Sequence, residues 1–131
     1  VRKANAQQAQ LKIYERLEAL MRNEKIYRRK DLTLQMLAET LGTNTTYMSH
    51  IVNSFSGKSF PNYLNAYRIE EVLDALSDPS DDEPIHAVFE RVGYTSRSTY
   101  LRIFRKEVGC APSKYRQEIR KIRAERKNVR I

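Results

Sequence analysis

The sequence predicts an all-α fold, and three observations carry that reading. Apolar residues recur at spacings of three and four through most of the chain, the period of a helix with one buried face. Nothing in it reads as a β-strand. Gly and Pro number only four each, which disfavours a turn-rich β-sandwich, a collagen-like chain and low-complexity disorder. At 131 residues and 40% hydrophobic content, the chain suits one domain or two very small ones with a modest core.

The elements follow in order. Leu11, Tyr14, Leu17 and Met21, with Ile13 and Leu20 beside them, predict a helix from about Ala6 to Asn23. A basic tether follows, Lys25-Ile26-Tyr27-Arg28-Arg29-Lys30. Leu34, Leu37, Ala38 and Leu41 mark a short helix capped by Asp31 or Thr33 and ended by Gly42. Met48, Ile51, Val52 and Phe55 mark the next, opened by Thr43 or Asn44 and closed before Gly57, with Met48, Val52 and Phe55 facing the core. Ser59 caps a longer helix, to Ser77, that shows Phe60, Leu64, Tyr67, Val72, Leu73 and Leu76. Ser77 to Pro84 reads as an acidic linker, with Pro84 in the first turn of a helix that carries Val88, Phe89 and Val92 and ends at Gly93. Ser96 caps the next helix, with Tyr100, Ile103 and Phe104 inward. Gly109 and Pro112 precede a last helix bearing Tyr115, Ile119 and Ile122, expected to fray near Asn128.

Two parts of the chain repeat each other. Gly42, Met48, Val52, Gly57 and Tyr63 find counterparts in Gly93, Tyr100, Phe104, Gly109 and Tyr115. The offset is 51 residues at the first Gly and 52 from Met48 onward, so the second turn is one residue longer. Each copy is a helix-turn-helix candidate. Two helices crossing steeply need a small residue at the contact, which Ala38 supplies, and Gly42 and Gly93 allow the positive φ of a sharp reversal.

Charge bounds the partners. Lys and Arg total 24 against 16 Asp and Glu, a net +8 that makes polyanions the leading candidates. The surplus sits at the ends: +6 in residues 1–30, −2 in 31–57, −5 in 58–83, +3 in 84–112 and +6 in 113–131. A single Cys excludes an intrachain disulfide framework and fits a reducing compartment. The start does not look like a signal peptide, and the longest stretch free of charge, Thr40 to Gly57, is too rich in Thr, Asn and Ser to span a membrane. The missing initial Met suggests a piece of a longer protein.

Three stretches carry a resemblance. Leu37 to Gly42, Gly57 to Leu64, and Val92-Gly93-Tyr94 through Ser98 to Lys106, closed by Gly109 to Arg116, are similar to the DNA-binding domain of the AraC/XylS family of bacterial transcription regulators. The likeness runs from about Leu32 to Arg116. The extra amino-terminal helix and tether look like members in which this domain ends a longer, often membrane-anchored sensor. Three positions depart from the family pattern: Phe89 replaces a usual Ala, Val52 a usual Phe, and Ala111 a usual Thr or Ser, the last removing a cap worth roughly 1 kcal/mol.

The expected organisation is residues 1–30 as amino-terminal helix and tether, 31–116 as a double helix-turn-helix domain, and 117–131 as a basic helical extension. Within the domain the first unit covers 31–57, the linking helix 59–77 and the second unit 84–109. Recognition helices present their amino-terminal residues and one face to base edges, so the outward sets are Thr45, Thr46, Ser49, His50 and Asn53, then Arg97, Ser98, Thr99 and Arg102. The family pattern selects Thr46, Ser49 and His50 in the first unit and the whole outward set in the second as base contacts. Arg102 leads, because a guanidinium bonds guanine O6 and N7 together. Thr45 and Asn44 serve as well as helix caps. Arg28, Arg29, Lys30, Lys58, Arg105 and Lys106 are expected on phosphates, and Arg68 in an ion pair with Glu71.

The implied function is sequence-specific duplex binding with two recognition helices in successive major grooves, ~34 Å apart, held apart by the linking helix. Expected with it are no enzymatic activity, no cofactor and no metal. The partners would be double-stranded DNA, the transcription machinery and a sensor or dimerisation domain of the parent chain, in a cytoplasmic, nucleoid-associated setting with no membrane contact by this segment. The alternative is a helical adaptor that binds a protein or an acidic membrane through its basic last helix. Gly57-Lys58-Ser59 mimics a phosphate-binding loop, but Val52 stands where that loop needs Gly. His50 and His86 form no ligand pair, and a reactive role for Cys110 has no support.

Overall fold

Helix signals in the sequence translate into seven α-helices in the computed structural model, which describes residues 1–129. They are α1 (Arg2–Arg22), α2 (Leu34–Thr40), α3 (Thr45–Ser56), α4 (Phe60–Ser77), α5 (Ile85–Arg91), α6 (Arg97–Val108) and α7 (Pro112–Val129). No strand occurs among the described residues. The chain divides into two compact units, Val1–Tyr67 and Arg68–Ile131, and α4 passes from one into the other.

In the first unit, Leu17, Met21, Leu37, Ala38, Met48, Ile51, Val52 and Tyr63 form a buried core. The expected starts resolve to Thr33, whose hydroxyl accepts the Met36 N–H, and Asn44, whose side chain accepts the Tyr47 N–H at 2.8 Å. α1 begins four residues earlier than the apolar pattern predicts, at Arg2, because Ala and Gln extend a helix without needing a buried face. The stretch read as a tether is folded: Ile26–Arg28 makes a 3₁₀ turn and Tyr27 is buried, stacked on Tyr67 at 5.8 Å. Phe55 does not point inward. It lies on the rim, 37% exposed, stacked on Tyr14 of α1 at 5.2 Å.

In the second unit, Ile69, Val72, Leu76, Val88, Phe89, Val92, Phe104 and Tyr100 form the core. Phe89 is fully buried and lies flat against Tyr100, ring centroids 4.0 Å apart. Its counterpart in the first unit is Ala38, also buried. The second unit thus fills with an aromatic stack the place where the first has a methyl group. Both turns keep one design. The Thr43 N–H bonds the Ala38 carbonyl at 2.8 Å, and the Tyr94 N–H bonds the Phe89 carbonyl at 3.0 Å. Gly42 and Gly93 stand just before those donors at φ +74° and +116°, the left-handed closure of a helix end. The connection is four residues (41–44) in the first unit and five (92–96) in the second, as the change of offset implies. Pro84 stands one residue before α5 rather than inside it, and its carbonyl accepts the Ala87 and Val88 N–H groups.

Gly93 has a second role. A Cβ there would meet the Arg68 guanidinium at 2.9 Å. Arg68 is buried and lies 5.3 Å from the Tyr94 ring centre, and burial holds its pKa below the ordinary arginine value. Glu71 accepts from Arg91 at 2.7 Å.

The acidic linker is pinned. Arg91 also reaches Glu83 at 3.0 Å and Asp81 at 3.7 Å. From α7, Arg116 donates to the Glu83 carbonyl, Arg120 to the carbonyls of Asp78 and Asp81, and Arg123 to that of Ser77. Ile119 of α7 is half-buried and Ile122 exposed. α7 persists through Asn128.

Candidate nucleic-acid interface

Two helices of equal length, α3 and α6, carry the candidate residues, each opened by a capping side chain and closed by a glycine at positive φ. The caps fix where each helix starts and hence which side chains its first turn presents. Ser96 accepts the Thr99 N–H at 3.4 Å, and its hydroxyl lies 3.1 Å from that of Ser98. Core anchors then set the rotation. Met48, Ile51 and Val52 are buried on α3; Tyr100, Ile103 and Phe104 on α6.

On α3 that rotation leaves Thr45, Thr46, His50 and Asn53 exposed and Ser49 half-buried. The His50 ring nitrogen lies 3.4 Å from the Ser54 hydroxyl, and Asn53 donates to the Ser49 carbonyl at 3.2 Å. Asn44 is occupied as the cap. On α6, Arg97, Ser98, Arg102, Arg105 and Lys106 are exposed and Thr99 is half-buried. Arg97, Leu101 and Arg105 fall on one helical stripe. They wall a cleft of about 620 Å³ whose other side is His86 of α5 and the amino end of α7. Arg102 lies outside that cleft.

The charges outside the two helices differ in availability. Arg29 is held by Asp31 through two hydrogen bonds, at 3.1 and 3.2 Å, and the guanidinium keeps the Asp31 carboxyl below the usual range. Arg28 is half-buried, whereas Lys30 and Lys58 are exposed. Among the described residues no His, Cys, Asp and Glu group could hold a metal ion, and no helix is long and apolar enough to cross a membrane.

Sequence reasoning missed the packing of α1 on α3. The only local trace of it is that Leu11 and Tyr14 share one helical face, and nothing in that spacing says that Phe55 is the partner.

Two capped helix-turn-helix units, with polar recognition faces and a basic second copy, define a module of the kind borne by bacterial transcription regulators. A family model described as "Helix-turn-helix domain" matches residues 37–118. The chain belongs to this family, in its AraC type. It is 31% identical over 90 residues to the HTH-type transcriptional regulator YtdP of Bacillus subtilis, covering 69% of this chain and 11% of that protein. It is 32% identical over 88 residues to the regulator YobQ of the same organism, covering 67% and 36%. The chain therefore spans well under half of either relative. Among solved structures, the C-terminal domain of AraT, a response regulator from Geobacillus stearothermophilus, is similar with a TM-score of 0.73 at 32% identity, over 81% of this chain and 84% of that one.

Proposed function

We propose that this chain is the DNA-reading part of a bacterial transcription regulator, with α3 and α6 each entering a major groove. The observation that supports it most is the repeat itself: two twelve-residue helices, each fixed in rotation by buried anchors, that turn polar and basic side chains outward. In this reading Thr46, Ser49 and His50 meet base edges from α3, and Ser98 and Arg102 from α6, with Thr99 in a smaller share. Arg97 shares the cleft wall with Arg105, so it is assigned with Arg105 and Lys106 to the sugar–phosphate strand. Lys30 and Lys58 serve the same purpose beside the first unit, with a lesser part for Arg28 and Arg29. The site is unsymmetrical, because the two recognition helices differ in sequence. The length of the relatives and the response-regulator origin of the similar structure support a parent protein with a signal-receiving domain, acting in the cytoplasm on the transcription machinery.

The first unit has no Lys or Arg between Asp31 and Gly57, so salt-dependent affinity comes mainly from the second. The test begins with duplexes selected from a random pool by the chain. Binding should compete with heparin, with log K falling against log salt by about 0.9 per neutralised phosphate, roughly 4 to 5 in all for five contacts. Arg105→Ala/Lys106→Ala should lower both affinity and slope. Ser49→Ala/His50→Ala should keep the slope and alter preference in one half of the site. A flat salt response would remove the DNA reading, and the reverse pattern would remove the assignment of roles.

A further inference from the structure

α1 is longer than the core requires. Its second half buries Leu17 and Met21, but residues 1–9 are all exposed and bury nothing. These residues are not turned away from the recognition helix. Gln7, Gln8 and Leu11 face His50, Ser54 and Phe55 of α3 across a cleft of about 740 Å³. Lys3 lies one turn before Gln7 on the same helical face. At 1.5 Å per residue it stands about 16 Å along the axis from Tyr14, where α1 stacks on Phe55.

Geometry then decides what this half of α1 would meet. A major groove about 12 Å wide is filled by one helix of about 10–12 Å diameter. A second helix beside the first stands at least the roughly 8–10 Å of helices in contact from its axis, and farther where a cleft lies between, so it falls at or beyond the groove's edge, where the sugar–phosphate strand runs. The composition suits that place. Arg2, Lys3 and Lys12 precede the first acid of the chain, Glu15, and the segment between them holds only Ala, Asn, Gln and Leu11. Arg2 and Lys3 have no protein partner among the described residues. Glutamine amides donate to phosphate oxygens, and alanines let the backbone approach closely. The cleft is lined mainly by Gln, His and Ser, with Leu11 and Phe55 only 41% and 37% exposed, a poor apolar seat for a second copy of the chain.

We propose that the amino-terminal half of α1, Arg2 to Lys12, is a third DNA-contacting element, laid on the phosphate strand beside α3 with Lys3, Gln7 and Gln8 toward the duplex. It supplies the first unit with the backbone contacts that α3, having no Lys or Arg, lacks. The inference rests on the DNA reading above.

The test uses the full chain and its selected duplex, with Arg2→Ala/Lys3→Ala and, separately, Gln7→Ala/Gln8→Ala. These positions are exposed, and Ala preserves the helix, so circular dichroism should be unchanged. The first pair should weaken binding several-fold and make the salt slope shallower by up to about 0.9 for each lost contact. The second should weaken binding with the slope kept. Phosphate ethylation interference should disappear at the strand bordering the half-site that Ser49→Ala/His50→Ala affects. Unchanged affinity and interference would overturn the proposal, as would tighter binding, which would make α1 a shield over α3. A dimer in sedimentation that Leu11→Ser dissociates would assign the face to a second copy and overturn it too. If the unaltered chain retains no duplex, the DNA reading itself fails. If it binds, and only Arg105→Ala/Lys106→Ala weakens it, α1's role alone fails.

Discussion

Phe89→Ala should cost the second unit about 3 to 5 kcal/mol. The side chain is fully buried, so its whole surface is lost from the core and a cavity of benzyl size remains. It also makes three aromatic contacts: flat on Tyr100 at 4.0 Å, edge-on to Phe104 at 5.9 Å and tilted against Tyr94 at 5.9 Å. Contacts of this kind add about 0.5 to 1.5 kcal/mol each beyond burial. Collapse is hindered because those neighbours are themselves anchored. Tyr94 packs against Arg68, and Tyr100 and Phe104 are held in α6. A unit spanning Arg68–Ile131 has only roughly 3 to 10 kcal/mol of stability, at 0.05 to 0.15 kcal/mol per residue. The substitution therefore removes between a third and all of it. Phe89→Leu keeps most of the volume and loses the stacking, so it should cost roughly 1 to 2 kcal/mol. Urea unfolding followed by near-ultraviolet circular dichroism measures both, and salt-dependent duplex binding should fall with the folded fraction of α6. An unchanged or raised midpoint for Phe89→Ala would refute the reasoning, and would mean that the aromatic stack is overpacked rather than supporting.

Arg102→Ala should relax base preference at one position by roughly 1 to 3 kcal/mol, read by competition among single-base variants of the selected duplex; equal weakening across all variants would move Arg102 to the backbone. The tyrosines make the fold sensitive to alkali. Burial and the neighbouring Glu18 carboxylate push the Tyr14 hydroxyl from 10.0 up to about 12, and the same two causes raise Tyr63 further. Above pH 10 the unfolded chain gives up phenolic protons that the folded chain retains, so stability present below pH 10 is lost as pH rises toward 12. Tyr14→Phe/Tyr63→Phe should flatten that loss in thermal melts, while costing about 1 kcal/mol at neutral pH for the Tyr63–Glu18 hydrogen bond; an unaltered alkaline profile would show that other groups control it.

The elements legible in the sequence were those set by local physics. The caps at Thr33, Asn44 and Ser96 are short-range hydrogen bonds, and Gly42 and Gly93 are where a left-handed backbone is cheapest. The rotation of α3 and α6 followed from the same local spacing: of the residues read as outward, all are exposed except Ser49 and Thr99, which are half-buried. What could not be read was decided by partners far away in the chain. Phe55 has the spacing of a core residue on α3, but its neighbour is Tyr14, and the pair forms a rim rather than an interior. The basic hexapeptide after α1 looked like a tether because charge dominates its composition. Tyr27 folds it down with Ile26 packed beside it, and the ring that Tyr27 finds, Tyr67, lies forty residues on. Glu71 accepts from Arg91, twenty residues on in another helix, a pairing that no local spacing announces.

That same long-range pairing decides between the two functional readings of the positive charge. The last 19 residues carry +6, which taken alone suits an acidic membrane or partner surface. Residues 58–83 carry −5, and three arginines of α7 close on the acidic linker within that stretch. Most of those bonds go to backbone carbonyls, with Arg120 also 3.6 Å from the Asp82 carboxylate. Charges spent in this way are poor ligands for a distant surface, because releasing them would leave linker carbonyls without donors. The two runs nearly cancel. By net count what is left over is +6 in residues 1–30 and +3 in residues 84–112, against −2 in residues 31–57, and on α6 Arg97, Arg102, Arg105 and Lys106 are exposed. A chain built to bind membranes through its last helix would keep Arg116, Arg120 and Arg123 opposite a continuous apolar stripe. Here Ile119 is half-buried and Ile122 exposed, and the arginines point back into the fold. The charge is arranged to keep the acidic linker bound and to leave α6, which carries four exposed Lys and Arg side chains where α3 has none, as the positive helix of the pair, a distribution that suits a duplex.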